Sequence, residues 1–283
     1  MTAHSMPADR RPTETFPIPA RGLIHTARGV RRTIVGLLRE LGRRVYYAIA
    51  LGRALAEPST WGGETVRQMY YMGVGSVPLV VIVAGFLGAV TAFQTFYQLF
   101  GGVQNSVVGL ISRQSIVLEL GPLLTGLTLT GRVGARMTAE IGTMRVTEQI
   151  DALETLGYDP HAFLVVPRAL AGVAMFPLVV GVAVMAGVGA GWGAALALLD
   201  LSSAQFVHGL RLFYDDFDVR YGLVKAASFG LAVTLIGCAS GMAATGGAQG
   251  VGGAATRAVV RSAVAILVLD ALWAVLWLLP RAR

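Results

Sequence analysis

The chain has 283 residues, of which 54% are hydrophobic and only 14% are charged. Soluble domains carry about 25% charged residues, so this composition excludes an ordinary soluble fold and predicts an all-α integral membrane protein. The formal net charge of +7 does not indicate nucleic-acid binding, because the sequence contains no motif that reads DNA or RNA.

The N-terminal part is basic and precedes the first long apolar segment. Residues 1–27 contain four prolines and scattered charge without periodicity, which is typical of a disordered tail. Residues 28–76 contain a helical pattern from Val30 to Leu55, with arginines largely off the apolar face. We expect an amphipathic helix in the membrane interface, with a soluble helix packed on a partner as the alternative. No cleavable signal sequence is apparent.

Five apolar segments are long enough to cross a bilayer, for which about 20 residues suffice. They lie within a membrane domain over residues 77–280 and run over 77–100, 115–138, 169–199, 222–245 and 258–279. The third is over-long, so we expect Pro177 to kink it or its end to protrude. Its Gly187, Gly189, Gly191 and Gly193 form small-residue pairs suited to close helix contact.

The distribution of basic residues predicts the orientation. With the N-terminus inside, 17 of the 23 Lys and Arg residues fall in inner segments and six in outer ones. This bias favours a cytoplasmic N-terminus and, with five spans, an external C-terminus.

The segment after the second span becomes polar within a few residues. Read as one helix, residues 143–157 place Val146 and Ile150 on one face and acidic residues on another. Gly157 and Pro160 stop the pattern. We expect a short amphipathic helix in a cytoplasmic loop, although a plain solvated connection also fits.

Two stretches carry a resemblance to a known family. The sequence ELGPLLTGLTLTGRVGARMTAEIGTMRVTEQIDALETLGYDP, residues 119–160, and the sequence GGAQGVGGAATRAVVRS, residues 246–262, resemble the MlaE/YrbE permease family over about residues 30–280. These permeases are membrane subunits of ABC transporters that work with MCE-domain proteins to move lipids. The resemblance implies a homodimer in the bacterial inner membrane, bound to a cytoplasmic ABC ATPase, with phospholipid as the cargo.

The resemblance also implies a coupling helix after the second span, which docks on the ATPase. In this sequence Arg132, Arg136, Glu140 and Arg145 would shape that end of the span. The residues expected to contact the ATPase are Thr147, Glu148, Asp151 and Glu154.

A candidate lipid site lies near the outer end of the second span. Glu119 is an ionisable residue in an apolar run, where such groups are costly and usually functional, and Pro122 is expected to kink the helix beside it. The resemblance places the lipid between two copies of the permease, near Glu119 and near Gln94 and Tyr97 of the first span. Relatives carry Arg where this chain has Leu118, and Arg113 is the candidate replacement. A purely structural bond from Glu119 to a neighbouring helix stays open.

Other chemistries find little support in the sequence. The glycine-rich stretch after Gly246 lacks the lysine of a nucleotide-binding P-loop, so we read it as a flexible turn and expect ATP and Mg on the partner ATPase. No cofactor or metal is expected in this chain, because its four histidines lack ligand spacing. The alternatives are an intramembrane lipid-modifying enzyme, since Glu119 and Asp270 lie inside apolar runs, and an ion-coupled secondary transporter, against which the absence of an internal repeat argues.

Overall fold

A computed structural model describes Gly52 and residues 58–100, 103–199 and 201–278. The predicted tail over residues 1–27 and nearly all of the predicted interfacial helix lie outside these residues. The regular structure of the described part is entirely helical, and five helices are long and apolar enough to cross a membrane. The all-α membrane fold is therefore confirmed. The five candidate spans are Trp61–Tyr97, Val107–Val146, His161–Leu198, Asp216–Met242 and Gly247–Trp277.

The first span begins with a bend. Helix α1, Pro58–Met72, is followed by a 3-10 turn, Val74–Ser76, and by α2, Val77–Tyr97. The 21 residues of α2 extend about 32 Å, which matches the thickness of the hydrocarbon core. Helix α2 begins at the predicted residue 77, whereas the candidate span as a whole begins earlier, at Trp61 in α1.

The second span is a composite helix that extends past the predicted residues 115–138 at both ends. It consists of α3 (Val107–Ser115), α4 (Gly121–Leu129) and α5 (Ala135–Val146), joined by π-helical turns at Ile116–Leu120 and Thr130–Gly134. Helix α3 extends the span because Val108 joins an apolar cluster with Phe206 of the short helix α8, Ser203–Arg211.

The predicted continuous helix over residues 143–157 is wrong. Helix α5 ends at Val146, and a second short helix, α6, covers Gln149–Thr155. The break occurs at Glu148, whose φ of 60° lies in the left-handed region and cannot continue a right-handed helix. The predicted stop is confirmed, since Gly157 follows α6 with a φ of 84°.

The last three spans are single long helices. Helix α7 covers Val166–Leu198 and is not interrupted at Pro177. Helix α9 covers Asp216–Met242, and α10 covers Gly247–Trp273 before a π-helical turn at Ala274–Leu278. The predicted flexible turn is wrong, because the glycine-rich stretch forms the first turns of α10 and only Gly246 and Gly247 have a positive φ there.

Glycines allow the central helices to meet backbone to backbone. A Cβ atom on Gly88 of α2 would overlap the carbonyl oxygen of Gly187 on α7, and one on Gly230 of α9 would overlap that of Gly172. Helix α7 is thus packed between α2 and α9. Four glycines of α7 were predicted to mediate helix contact. Gly187 and Gly191 do so, whereas a Cβ atom on Gly189 or Gly193 would have open space around it.

We predict that Gly88→Ala destabilises the bundle. The new methyl group would overlap a backbone carbonyl that cannot move by a rotamer change, and overpacking of this kind costs about 1–3 kcal/mol. Thermal unfolding of the detergent-solubilised protein should occur at a lower temperature. Gly189→Ala is the matched control, since that position is open, and it should unfold no earlier than the wild type. Equal midpoints for Gly88→Ala and the control would contradict the packing described.

Candidate functional site

The chain's single lysine is buried where three spans meet. The side chain of Lys225, on α9, is 0% exposed, and its Nζ atom lies 2.7 Å from Oε2 of Glu119 and 2.6 Å from Oδ1 of Asp270. Glu119 belongs to the second span and Asp270 to α10. Charged groups in an apolar interior persist only when they are paired, so we call Lys225, Glu119 and Asp270 the ion triad.

Pro122 supplies a further acceptor for the lysine. In a regular helix the carbonyl of Leu118 would accept a hydrogen bond from the backbone N–H of residue 122, but proline has no N–H. The Lys225 ammonium donates to this carbonyl oxygen at 3.3 Å. The ammonium thus donates to Leu118 and Glu119 and forms an ion pair with Asp270.

Small residues let α9 approach this irregular turn. The turn widens to the π type at Ile116–Leu120, and the N–H of Gly121 bonds to the carbonyl of Ile116. A Cβ atom on Gly121 would lie 2.5 Å from that same oxygen, and one on Gly222 of α9 would lie 2.8 Å from the carbonyl oxygen of Val117. Gly222 therefore lets α9 approach the turn that carries Glu119, whereas Gly121 accommodates the backbone of the turn itself.

Aromatic rings cover one side of the triad. The Tyr221 ring lies 5.4 Å from the Lys225 ammonium and packs edge-on against Trp273. Trp273 donates from its ring nitrogen to Ser228, whose hydroxyl donates to the Lys225 carbonyl. Trp277 extends the cluster beyond Trp273. These rings exclude water and thereby strengthen the ionic contacts.

The three members of the triad differ in exposure. The side chain of Glu119 is 40% exposed and that of Asp270 is 13% exposed, whereas Lys225 is fully buried. Two carboxylates also share one ammonium, so the site has an excess of acidic groups. Glu119 is consequently the member that can contact a molecule outside the bundle.

From the sequence, neither carboxylate was assigned a partner. Lys225 joins them, and the sequence contained a signal for this, since a lone lysine within an apolar run requires an acidic partner. The structural bond from Glu119 to a neighbouring helix, left open above, is present. The exposure of Glu119 means that this bond does not exclude contact with a ligand.

In the part of the chain that the structure describes, the other residues predicted to form the lipid site make no ionic contact with the triad. Gln94 and Tyr97 lie on the last turns of α2 and are exposed, and Pro122 is buried under the triad. Within the described residues, no hydrogen bond or ion pair joins Gln94 or Tyr97 to Glu119. Arg113 has another role: it is buried and donates to the carbonyls of the α8 end and the following loop.

The opposite end of the second span carries an exposed acidic surface. Ile150 of α6 is 1% exposed and anchors this helix, and Arg145 of α5 contacts Asp151 at 2.5 Å. The surface so fixed consists of Thr147, Glu148, Asp151 and Glu154, all of which are exposed. A rigid helix with this surface suits docking of a protein partner.

Three of the residues expected to shape this end of the second span lie apart from the α6 surface. Glu140 accepts at 2.8 Å from Arg168 of α7, which is 2% exposed and also donates to the Leu164 carbonyl. Glu140 therefore ties the second span to the third. Arg132 and Arg136 lie on the side of the second span that faces α1, in a shared pocket.

We predict that Lys225→Met is strongly destabilising. It leaves two carboxylates without their cation, and breaking a buried ion pair costs about 3–5 kcal/mol. Thermal unfolding in detergent should occur at a much lower temperature than in Arg257→Met, a matched change at an exposed cation of α10.

Neutralising both carboxylates should restore much of this loss. The triple variant Lys225→Met, Glu119→Gln, Asp270→Asn contains no buried charge at the site, so it should unfold later than the single variant. A triple variant less stable than Lys225→Met would show that the triad is not an ionic unit.

Comparison with known proteins gives a consistent result. Residues 65–276 match the family described as "Permease MlaE". The chain is 35% identical to a "Probable ABC transporter permease protein" of Rickettsia bellii over 87% of this chain and 95% of that protein. It is 32% identical to the "Intermembrane phospholipid transport system permease protein MlaE" of Haemophilus influenzae over 72% of this chain and 79% of that protein. A "Probable ABC transporter permease protein" of Synechocystis is 39% identical over 72% of this chain and 78% of that protein.

Proposed function

The chain belongs to the MlaE permease family, and we propose that it moves phospholipid between the inner membrane and an MCE-domain partner. As a family member it is a multi-pass permease subunit of an ABC transporter rather than an enzyme. The proposed cargo rests on the Haemophilus relative, whose name refers to intermembrane phospholipid transport.

The energy for transport would come from a separate cytoplasmic ATPase that holds ATP and Mg. The exposed surface of α6 supports this, and it is the observation that carries the proposal. Glu148 at the start of α6 and Asp151 and Glu154 within it are exposed, and the helix is anchored by the buried Ile150 and by the contact of Arg145 with Asp151. Leu156 beside it is 72% exposed, which gives a partner both apolar and acidic contacts.

We further propose a homodimer. Each chain has a single α6, whereas ABC ATPases act as pairs, so two copies are needed to engage them. The exposed residues at the end of α2, Gln94 and Tyr97, and the accessible side of Glu119 would then face the lipid between the two copies. The N-terminus would be cytoplasmic and the C-terminus external in a bacterial inner membrane, in accord with the distribution of basic residues.

Charge reversal on α6 tests the ATPase contact. We predict that Glu148→Lys with Glu154→Lys abolishes co-purification of the ATPase, because it removes two acidic contacts and leaves the spans intact. The matched control is Asp216→Lys, which reverses an exposed acid at the other end of the bundle. If the α6 variant co-purified with the ATPase at the wild-type yield, α6 would not be the ATPase contact.

A second test concerns the cargo. We predict that Glu119→Gln slows ATP-driven transfer of phospholipid from vesicles containing the permease, the ATPase and the MCE protein. The amide keeps the shape of the side chain but removes the charge at the exposed edge of the triad. Glu64→Gln, a carboxylate of α1 outside the triad, should transfer at the wild-type rate.

The same assay separates the rival functions. Chemical conversion of a lipid by the permease alone, without the ATPase, would indicate an intramembrane enzyme. Transfer driven by an ion gradient without ATP would indicate a secondary transporter. Either result would overturn the proposal.

A further inference from the structure

A pocket of about 220 Å³ lies between α1 and the second span. Arg67 and Tyr71 of α1 line one wall, and Arg132, Arg136 and Glu140 line the other, with apolar contributions that include Met137. The pocket is separate from the ion triad, since Arg132 follows Glu119 by 13 residues, or about 20 Å along a helix.

Two of the three arginines in this pocket lack an acidic partner within the described part of the chain. Arg67 pairs with Glu64 at 3.1 Å, and Glu140 is bonded to Arg168. Among the described residues, no carboxylate lies within ion-pair distance of Arg132 or Arg136. The pocket therefore has a positive charge available to an anion.

The position of Arg136 is fixed by an aromatic ring. Its guanidinium lies 4.8 Å from the centre of the Tyr71 ring, in cation–π geometry. Such stacking orients the planar group and leaves its N–H donors for a ligand. An oriented guanidinium suits the bidentate binding of phosphate oxygens.

The pocket adjoins the turn that leads into the apolar helix α2, where the chain would enter the hydrocarbon. Arg132 lies against the turn between α1 and α2, because a Cβ atom on Gly75 would lie 3.3 Å from its Nη2 atom. The apolar crossing begins two residues later, at Val77. Phosphate groups of membrane lipids occupy this level, and arginines between spans there are a known arrangement for binding lipid head groups.

We propose that Arg132 and Arg136 bind the phosphate of a membrane lipid in the leaflet at the α6 end of the bundle. A volume of 220 Å³ equals that of about seven water molecules, so it accommodates a head group while the acyl chains remain in the bilayer. The two arginines are then lipid ligands and not part of the ATPase contact. The identity of the bound group as a lipid rests on the proposed function.

The test measures lipid retention without ATP or partner proteins. The full chain is reconstituted in phosphatidylcholine nanodiscs containing a minor fraction of phosphatidic acid, extracted into detergent, and analysed for bound lipid by native mass spectrometry. Arg132→Gln with Arg136→Gln should retain phosphatidic acid about tenfold more weakly than the wild type, as expected for the loss of charge-assisted hydrogen bonds. Arg257→Gln with Arg261→Gln, which removes two exposed arginines of α10, should retain it like the wild type.

Three results would overturn the assignment. The first is that the pocket variant retains phosphatidic acid like the wild type. The second is that the pocket variant and the α10 variant lose it equally. The third is that millimolar inorganic phosphate displaces the lipid, which would identify a site for free phosphate. Because this experiment contains no ATPase, a negative result would reject the lipid site but would not bear on ATP-driven transfer. Conversely, if the wild type retained the lipid but showed no ATP-driven transfer, the proposed function would be rejected and the lipid site would stand.

Discussion

The burial of one ammonium group between two carboxylates determines how the spans meet. Lys225 of α9 contacts Glu119 and Asp270, and thereby links the second, fourth and fifth spans. The lysine also donates to the carbonyl of Leu118 that Pro122 leaves free, and the absence of a side chain at Gly222 lets α9 come close to this turn. Loss of Lys225 would leave both carboxylates without their cation, whereas loss of one carboxylate would leave the lysine paired with the other.

The second span connects the triad to the opposite end of the molecule. From Glu119 the chain continues through α4 and α5 to the α6 surface, with Glu140 bonded to Arg168 of α7 on the way. The π-helical turns at Ile116–Leu120 and Thr130–Gly134 divide the span into three segments, and such turns occur frequently at functional sites.

The architecture was predictable from sequence, but the side-chain pairings were not. Apolar length indicated the five spans, and the start of α2 at Val77 was correct, because hydrophobic burial in lipid needs no knowledge of the neighbours. The partner of Glu119 was missed, because Lys225 is 106 residues away and no local pattern connects them. The break at Glu148 was also missed, since no local pattern in the sequence indicates its left-handed backbone. The helical start of α10 was missed because glycine-rich stretches favour turns.

The exposed edge of the triad is proposed to border the lipid during transport. The most direct measurement is cross-linking of a photoreactive phospholipid in the purified assembly, followed by mass-spectrometric mapping of the labelled residues. The expected result is labelling around Glu119 and at the end of α2, at Gln94 and Tyr97. Labelling confined to exposed apolar residues of α10, such as Val264 and Leu267, would contradict it.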